Sequence, residues 1–82
     1  MKLIALDWDG VLINHPPRLP FNEILEYPPM ENALEIIYYL VTNGIRFYVL
    51  TSRKKEELPQ IKKWLERNGF PSMVVTNIKK PA

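Results

Sequence analysis

No cysteine occurs among the 82 residues, which excludes both a disulfide framework and a thiolate metal site. Histidine is nearly as scarce: the single copy, His15, stands isolated in a proline-rich stretch, and lone histidines rarely act without partners. Long apolar runs are missing too. Leu3 to Leu6 is far too short for the core of a signal peptide and is broken by Asp7. Nothing approaches the ~20 consecutive apolar residues of a membrane span. Together these absences fit a cytoplasmic protein without a membrane partner. There is no internal repeat and no low-complexity tract. A strong charge imbalance is also lacking. A formal charge of +2 and a pI near 9.0 mildly favour anionic ligands and fall short of a nucleic-acid footprint.

What is there reads as one small domain spanning 1–82. Apolar residues make up 46% and charged residues 24%, an ordinary globular balance. A chain this short buries only roughly 60–65% of its unfolded surface, so its core is thin. Leu3 to Leu6 predicts a first strand covered on both faces. The stretch 14–29, "NHPPRLPFNEILEYPP", holds five of the eight prolines and reads as loop, with room for one helical turn around Glu23 to Leu25. From Met30 onward Leu34, Ile37, Tyr38 and Val41 recur at helical spacing, stopped by Asn43-Gly44. "IRFYVL", 45–50, is a second strand leading into Thr51-Ser52. A second helix begins near Glu56 or Glu57 and turns Leu58, Ile61, Trp64 and Leu65 inward, with Gly69 at its end. "MVV", 73–75, supplies a third strand. Strands alternating with helices imply right-handed crossovers and a parallel α/β sheet.

Ligands of such sheets collect beyond the carboxyl ends of the strands. Those ends carry Asp7 and Asp9, then Thr51 and Ser52, then the segment from Thr76 to Lys80. Two acids, two hydroxyls and two ammonium groups converging on one crevice would suit a phosphate accompanied by a magnesium ion. Residues two apart on a strand point the same way, so Asp7 and Asp9 would face the crevice while Trp8 points to the opposite side. A plain turn at Asp9-Gly10 is the bland alternative. Thr51-Ser52 would equally cap the second helix, a role compatible with phosphate binding. A calcium loop is excluded, because Gly10 arrives before the further oxygen ligands that loop needs.

"LIALDWDGVL" resembles the first motif of the haloacid dehalogenase-like (HAD) phosphohydrolases, an apolar strand running into D-x-D-G. "FYVLTSR" is similar to their second motif, and "VVTNIKKPA" to the lysine-bearing third motif of small members. The resemblance implies a Rossmann-like three-layer α/β/α fold, of which this chain would hold the first three strands and two main helices. It implies a magnesium-dependent phosphohydrolase acting through an aspartyl-phosphate on a small phosphorylated substrate, or on a phosphate at a nucleic-acid end. Asp7 would be the nucleophile and Asp9 the general acid and base. Magnesium would bind the Asp7 carboxylate and the backbone carbonyl of Asp9. Gly10 would bring backbone N–H groups near the phosphate, and Thr51 would hold a phosphoryl oxygen. Ser52 belongs to the same second-strand end. Lys79 would balance charge, with Lys80 as the alternative because the lysine is doubled. Arg53 is either a substrate contact or a surface residue.

The family's fourth motif, a strand ending in paired acids, has no counterpart before Ala82, and the 11–29 linker is too short for a cap domain. The chain is then either a shortened form or one without a metal ligand by nature. The rival readings are a non-catalytic remnant that binds phosphate or metal at most, and an interaction module. The expected strand order, third-second-first, leaves Leu3 to Leu6 as an edge. It would pair in a homodimer, meet a segment with the missing half, or be covered by the 14–29 loop.

Overall fold

The computed structural model describes residues 2–81. Its elements are β1 (Ile4–Asp7), α1 (Phe21–Ile24), α2 (Ala33–Thr42), β2 (Phe47–Leu50), a 3-10 turn (Lys55–Glu57), α3 (Leu58–Arg67) and β3 (Val75–Thr76). The three strands form one parallel sheet in the order β1-β2-β3, as the alternation of strands and helices predicts. Ile4 lies opposite Phe47 and Leu6 opposite Val49, while Val49 lies opposite Val75.

That register sorts the sheet into two faces. Side chains alternate along a strand, so Ile4, Leu6, Phe47, Val49 and Val75 share one face. Val49 and Val75 join Ala33 and Ile37 of α2 and Ile61, Trp64 and Leu65 of α3 in a single buried cluster. Both helices therefore lie on the same side. The cause is topological: two right-handed crossovers running in one direction across the sheet must return on the same face. Among the described residues the fold consists of two layers of an α/β architecture. On the second face Tyr48 is buried, its hydroxyl accepting the Lys80 N–H at 2.9 Å, with the Lys80 ammonium 5.9 Å from its ring centre. The first strand, expected to be covered on both faces, instead leaves Ala5 exposed and Ile4 36% exposed. It is an edge strand, and among the described residues its second face meets no helix.

Both long helices stop as their glycines predict. Phe70 N–H reaches the Leu65 carbonyl at 3.0 Å and Gly69 N–H the Glu66 carbonyl at 3.2 Å. Ile45 and Gly44 repeat the pattern on Leu40 and Val41. This closure needs a left-handed residue after the helix, and Gly44 and Gly69 supply it with φ of 66° and 87°. α3 buries Ile61, Trp64 and Leu65 as its spacing predicts, and Pro59 sits in the first turn, where its missing N–H costs nothing. Of the predicted stripe Ile37 is buried and Leu34 packs against the core, whereas Tyr38 and Val41 are 46% and 49% exposed; the buried line of α2 is Ala33, Ile37 and Leu40. α2 is apolar almost all round, so periodicity alone does not select its inner face. It begins at Ala33 rather than directly from Met30, because Asn32 has a φ of 67°, a left-handed backbone that a helix cannot run through.

The 14–29 segment packs against α3. Trp64 Nε1 donates to the Tyr27 carbonyl at 3.0 Å and Arg67 to the Leu25 carbonyl at 2.9 Å. Ile24 is buried, and Leu19, Phe21, Leu25 and Tyr27 pack against the core cluster. Among the described residues no helix is long and apolar enough to cross a membrane.

Candidate active site

The first strand continues into a tight turn that positions both acids. Trp8 N–H bonds the Leu50 carbonyl at 3.0 Å, which extends the sheet contact one residue past β1. Leu12 and Ile13 N–H groups then both return to the Trp8 carbonyl at 3.1 Å. Gly10 completes the reversal with φ of 79°, a backbone state that other residues resist. Its N–H is engaged by the Ile13 carbonyl at 3.2 Å, so Gly10 serves the turn rather than presenting a free donor. Trp8 is fully buried against Trp64 and Phe21. The residue between the acids is thus an anchor in the core, as the alternation predicts.

Beyond the strand ends lies a cleft of about 440 Å³ lined by Asp7, Asp9, Leu50, Thr51, Ser52, Asn77 and Lys79. Each strand contributes to it. Thr51 N–H bonds the Thr76 carbonyl at 3.0 Å, which holds the second and third strand ends side by side. The sequence-predicted Asp7, Asp9, Thr51, Ser52 and Lys79 are brought together here. Lys80 is not: its backbone N–H is tied to the Tyr48 hydroxyl and its ammonium lies over the Tyr48 ring, on the second face of the sheet.

Asp9 is the most constrained group in the cleft. Arg53 grips it with both ends of the guanidinium, Nη2 to Oδ1 at 2.7 Å and Nε to Oδ2 at 3.4 Å. His15 Nε2 lies 3.0 Å from Oδ1, and Thr51 Oγ1 donates to Oδ2 at 3.3 Å. Burial alone would push the Asp9 carboxyl up. Hydrogen bonds from Arg53 and His15, together with their charges, outweigh it and hold the group below the ordinary carboxylate value. This favours the ionised form. His15 Nδ1 lies 2.8 Å from the Pro16 carbonyl. A carbonyl only accepts, so Nδ1 carries a hydrogen; the contact with the Asp9 carboxylate then needs a second proton on Nε2 or on Oδ1.

Arg53 does not line the cleft. Its guanidinium sits 5.5 Å from the Phe21 ring centre and 5.9 Å from that of Trp8, and its own N–H bonds Thr51 Oγ1 at 3.1 Å. The contact of His15 with Asp9 is not visible in the sequence, because it depends on the reversal at residues 8–13 and on the pairing of Ile13 with Pro29. Asn77, within the third strand-end segment, joins the predicted residues. It lines the cleft, and its side-chain amide donates to the Arg53 carbonyl at 3.2 Å.

The donors suit a magnesium ion only sparingly. The Asp7 carboxylate is exposed, and none of the turn's backbone hydrogen bonds uses the Asp9 carbonyl. Among the described residues no group of three or more His, Asp or Glu side chains could hold a metal. Magnesium commonly takes one or two carboxylates and completes its shell with water and phosphate oxygens, so Asp7 and the Asp9 carbonyl fit that habit.

No family model and no curated protein matches the sequence. Among solved structures, the chain is similar to the class C acid phosphatase from Bacillus anthracis, with a TM-score of 0.74 and 21% identity. The match covers 93% of this chain and 41% of that enzyme, so the chain spans less than half of its solved neighbour. At that identity the likeness establishes the fold: a small parallel α/β unit of the kind found within a phosphatase.

Proposed function

We propose that the chain carries the phosphoryl-handling half of a HAD-type phosphohydrolase, acting on small phosphate monoesters through an aspartyl-phosphate. The observation that supports this best is the convergence of Asp7, Asp9, Thr51, Ser52 and Lys79 on one cleft at the strand ends. The solved phosphatase neighbour supports the same reading at the level of fold.

In this reading an Asp7 carboxylate oxygen attacks phosphorus. The P–O bond to the leaving group breaks, and the leaving oxygen takes a proton delivered from Asp9. Water then attacks the aspartyl-phosphate, Asp9 takes its proton, and release of inorganic phosphate restores Asp7. The Ser52 hydroxyl donates to a phosphoryl oxygen, Thr51 turns its one hydrogen from Asp9 Oδ2 to another as phosphate binds, and the Lys79 ammonium offsets their charge. Magnesium, held by the Asp7 carboxylate and the Asp9 carbonyl, would neutralise phosphate charge when bound. The lowered Asp9 carboxyl suits the second, base step and leaves only a small protonated fraction for the first, acid step.

Magnesium-dependent release of phosphate from an aryl phosphate, lost in Asp7→Asn, tests the proposal. The second reading, binding without turnover, is favoured by the presence of only two carboxylates, Asp7 and Asp9, in the cleft lining. It predicts saturable binding of inorganic phosphate or beryllium fluoride and no catalysed release.

A further inference from the structure

We infer that Arg53 and His15 are positioning residues for Asp9, and that Arg53 is not a ligand for the substrate phosphate. The inference rests on the phosphohydrolase reading for its kinetic consequence and on geometry for the rest. Both nitrogens of the Arg53 fork that face the site are engaged by Asp9, at 2.7 and 3.4 Å. The guanidinium lies 5.5 and 5.9 Å from the ring centres of Phe21 and Trp8, and Trp8 is a fully buried core residue. The Arg53 backbone is tied at both polar groups, its N–H to Thr51 Oγ1 and its carbonyl to the Asn77 amide. An arginine held this way cannot turn to a phosphate without leaving a charge-assisted pair and an aromatic stack.

His15 closes the grip on the other side. Its side chain is 11% exposed, with one ring nitrogen on Pro16 and the other on Asp9 Oδ1. Pro16 and Pro17 follow directly, so the backbone that carries the ring is stiff. Neither His15 nor Arg53 appears in the cleft lining, whereas Asp9 does. Asp9 follows the strand and precedes a glycine, a place where a free carboxylate would sample several rotamers. Arg53 and His15 select one.

The grip requires a planar fork. Lysine has one point charge and can neither span both carboxylate oxygens nor stack on the rings. Arg53→Lys and His15→Gln, in the 82-residue chain with magnesium, test the inference through three readouts. These are kcat and KM on an aryl phosphate, Kd for inorganic phosphate by calorimetry, and the Asp9 rotamer from NMR couplings to its β-protons. Arg53→Lys is expected to lower kcat about 100-fold, the scale of a group misplaced by about an ångström, with KM and phosphate Kd held within about twofold. The Asp9 couplings should move from one-rotamer to averaged values, and Arg53→Ala should regain part of the lost rate when guanidinium is added. His15→Gln should show the same pattern more weakly. A tenfold weaker phosphate Kd with kcat unchanged would make Arg53 a phosphate ligand and overturn the inference. Unchanged Asp9 couplings in both variants would overturn it as well. A parent chain without turnover would count against the proposed function, and the couplings alone would still decide the positioning role.

Discussion

Replacing Thr51 by valine isolates a hydroxyl that has two jobs. Thr51 is 4% exposed at the end of β2. Its Oγ1 accepts the Arg53 N–H at 3.1 Å and donates to Asp9 Oδ2 at 3.3 Å. Valine has nearly the same shape, so packing is kept while both hydrogen bonds disappear. A buried N–H left without its acceptor costs about 1–3 kcal/mol. Arg53 is only partly buried, which points to the lower half of that range, about 1–2 kcal/mol. In a domain of this size that lowers Tm by roughly 4–16 °C. The control is Thr51→Ser, which keeps both bonds and loses one buried methyl, at about 0.8 kcal/mol. Unfolding can be followed by fluorescence of the buried Trp8 and Trp64, and phosphate affinity by calorimetry. When phosphate binds, the hydroxyl exchanges its long bond to Asp9 for one to a phosphoryl oxygen. Valine should therefore lose about 10-fold in phosphate affinity, the lower end for a hydrogen bond to a charged oxygen, while serine keeps it. If valine matches the parent in both Tm and affinity, the hydroxyl neither supports the turn nor meets phosphate, and the reasoning fails.

Two further outcomes follow from the same geometry. The folded Asp9 carboxyl lies below its ordinary value of 3.8, so its stabilisation is complete above that pH and is lost as pH falls through the folded value. Asp9→Asn should therefore show a smaller drop in urea midpoint between pH 7 and about pH 3 than the parent does; an equal drop would refute the assignment. Trp64→Phe removes the donor to the Tyr27 carbonyl and part of a ring that is 1% exposed. It should cost about 1–3 kcal/mol and speed amide exchange at residues 24–27 relative to β2. An unchanged urea midpoint would show that the 14–29 segment does not depend on this contact.

The legible parts of this chain are those written in local pattern. Leu3 to Leu6 followed by Asp7 and Asp9 gives strand and acids together, because a strand end and its neighbours are contiguous in sequence. β2 and α3 are equally plain, the first from its aromatic and β-branched run, the second from a narrow apolar stripe opposite lysines. α2 resisted because Ile36, Tyr39 and Val41 are apolar and exposed, so several stripes fit equally well. The third strand is Val75–Thr76 rather than 73–75, since its extent is set by where β2 lies opposite it and not by its own composition. Thr51, Ser52 and Lys79 are legible from their places at strand ends, and the Tyr48 contact of Lys80 separates it from Lys79. His15 escapes this reading because it enters the site through the reversal at residues 8–13, which no periodicity encodes; Asn77 lies within the third strand-end segment, and its residue type alone does not single it out there.

The placement of Trp8 explains why core and site must be considered together. The ring between the two acids meets Trp64 edge-on at 5.7 Å and Phe21 at 6.1 Å, and Trp64 stacks in turn on Phe70. Arg53 lies against the Trp8 and Phe21 members of that cluster while holding Asp9. One side chain therefore transmits the order of the aromatic core to the carboxylate at the cleft. The buried Trp8 Nε1 finds no hydrogen-bond partner among the described residues, a burden of about 1–3 kcal/mol. Packing area offsets it: a ring of this size buries on the order of 200 Å², which at about 25 cal/mol per Å² gives about 5 kcal/mol. In so thin a core that gain has few substitutes. A change at Phe21 or Trp64 that loosens the cluster would free Arg53 as well, so in this fold a core substitution well away from the cleft can act as a site substitution.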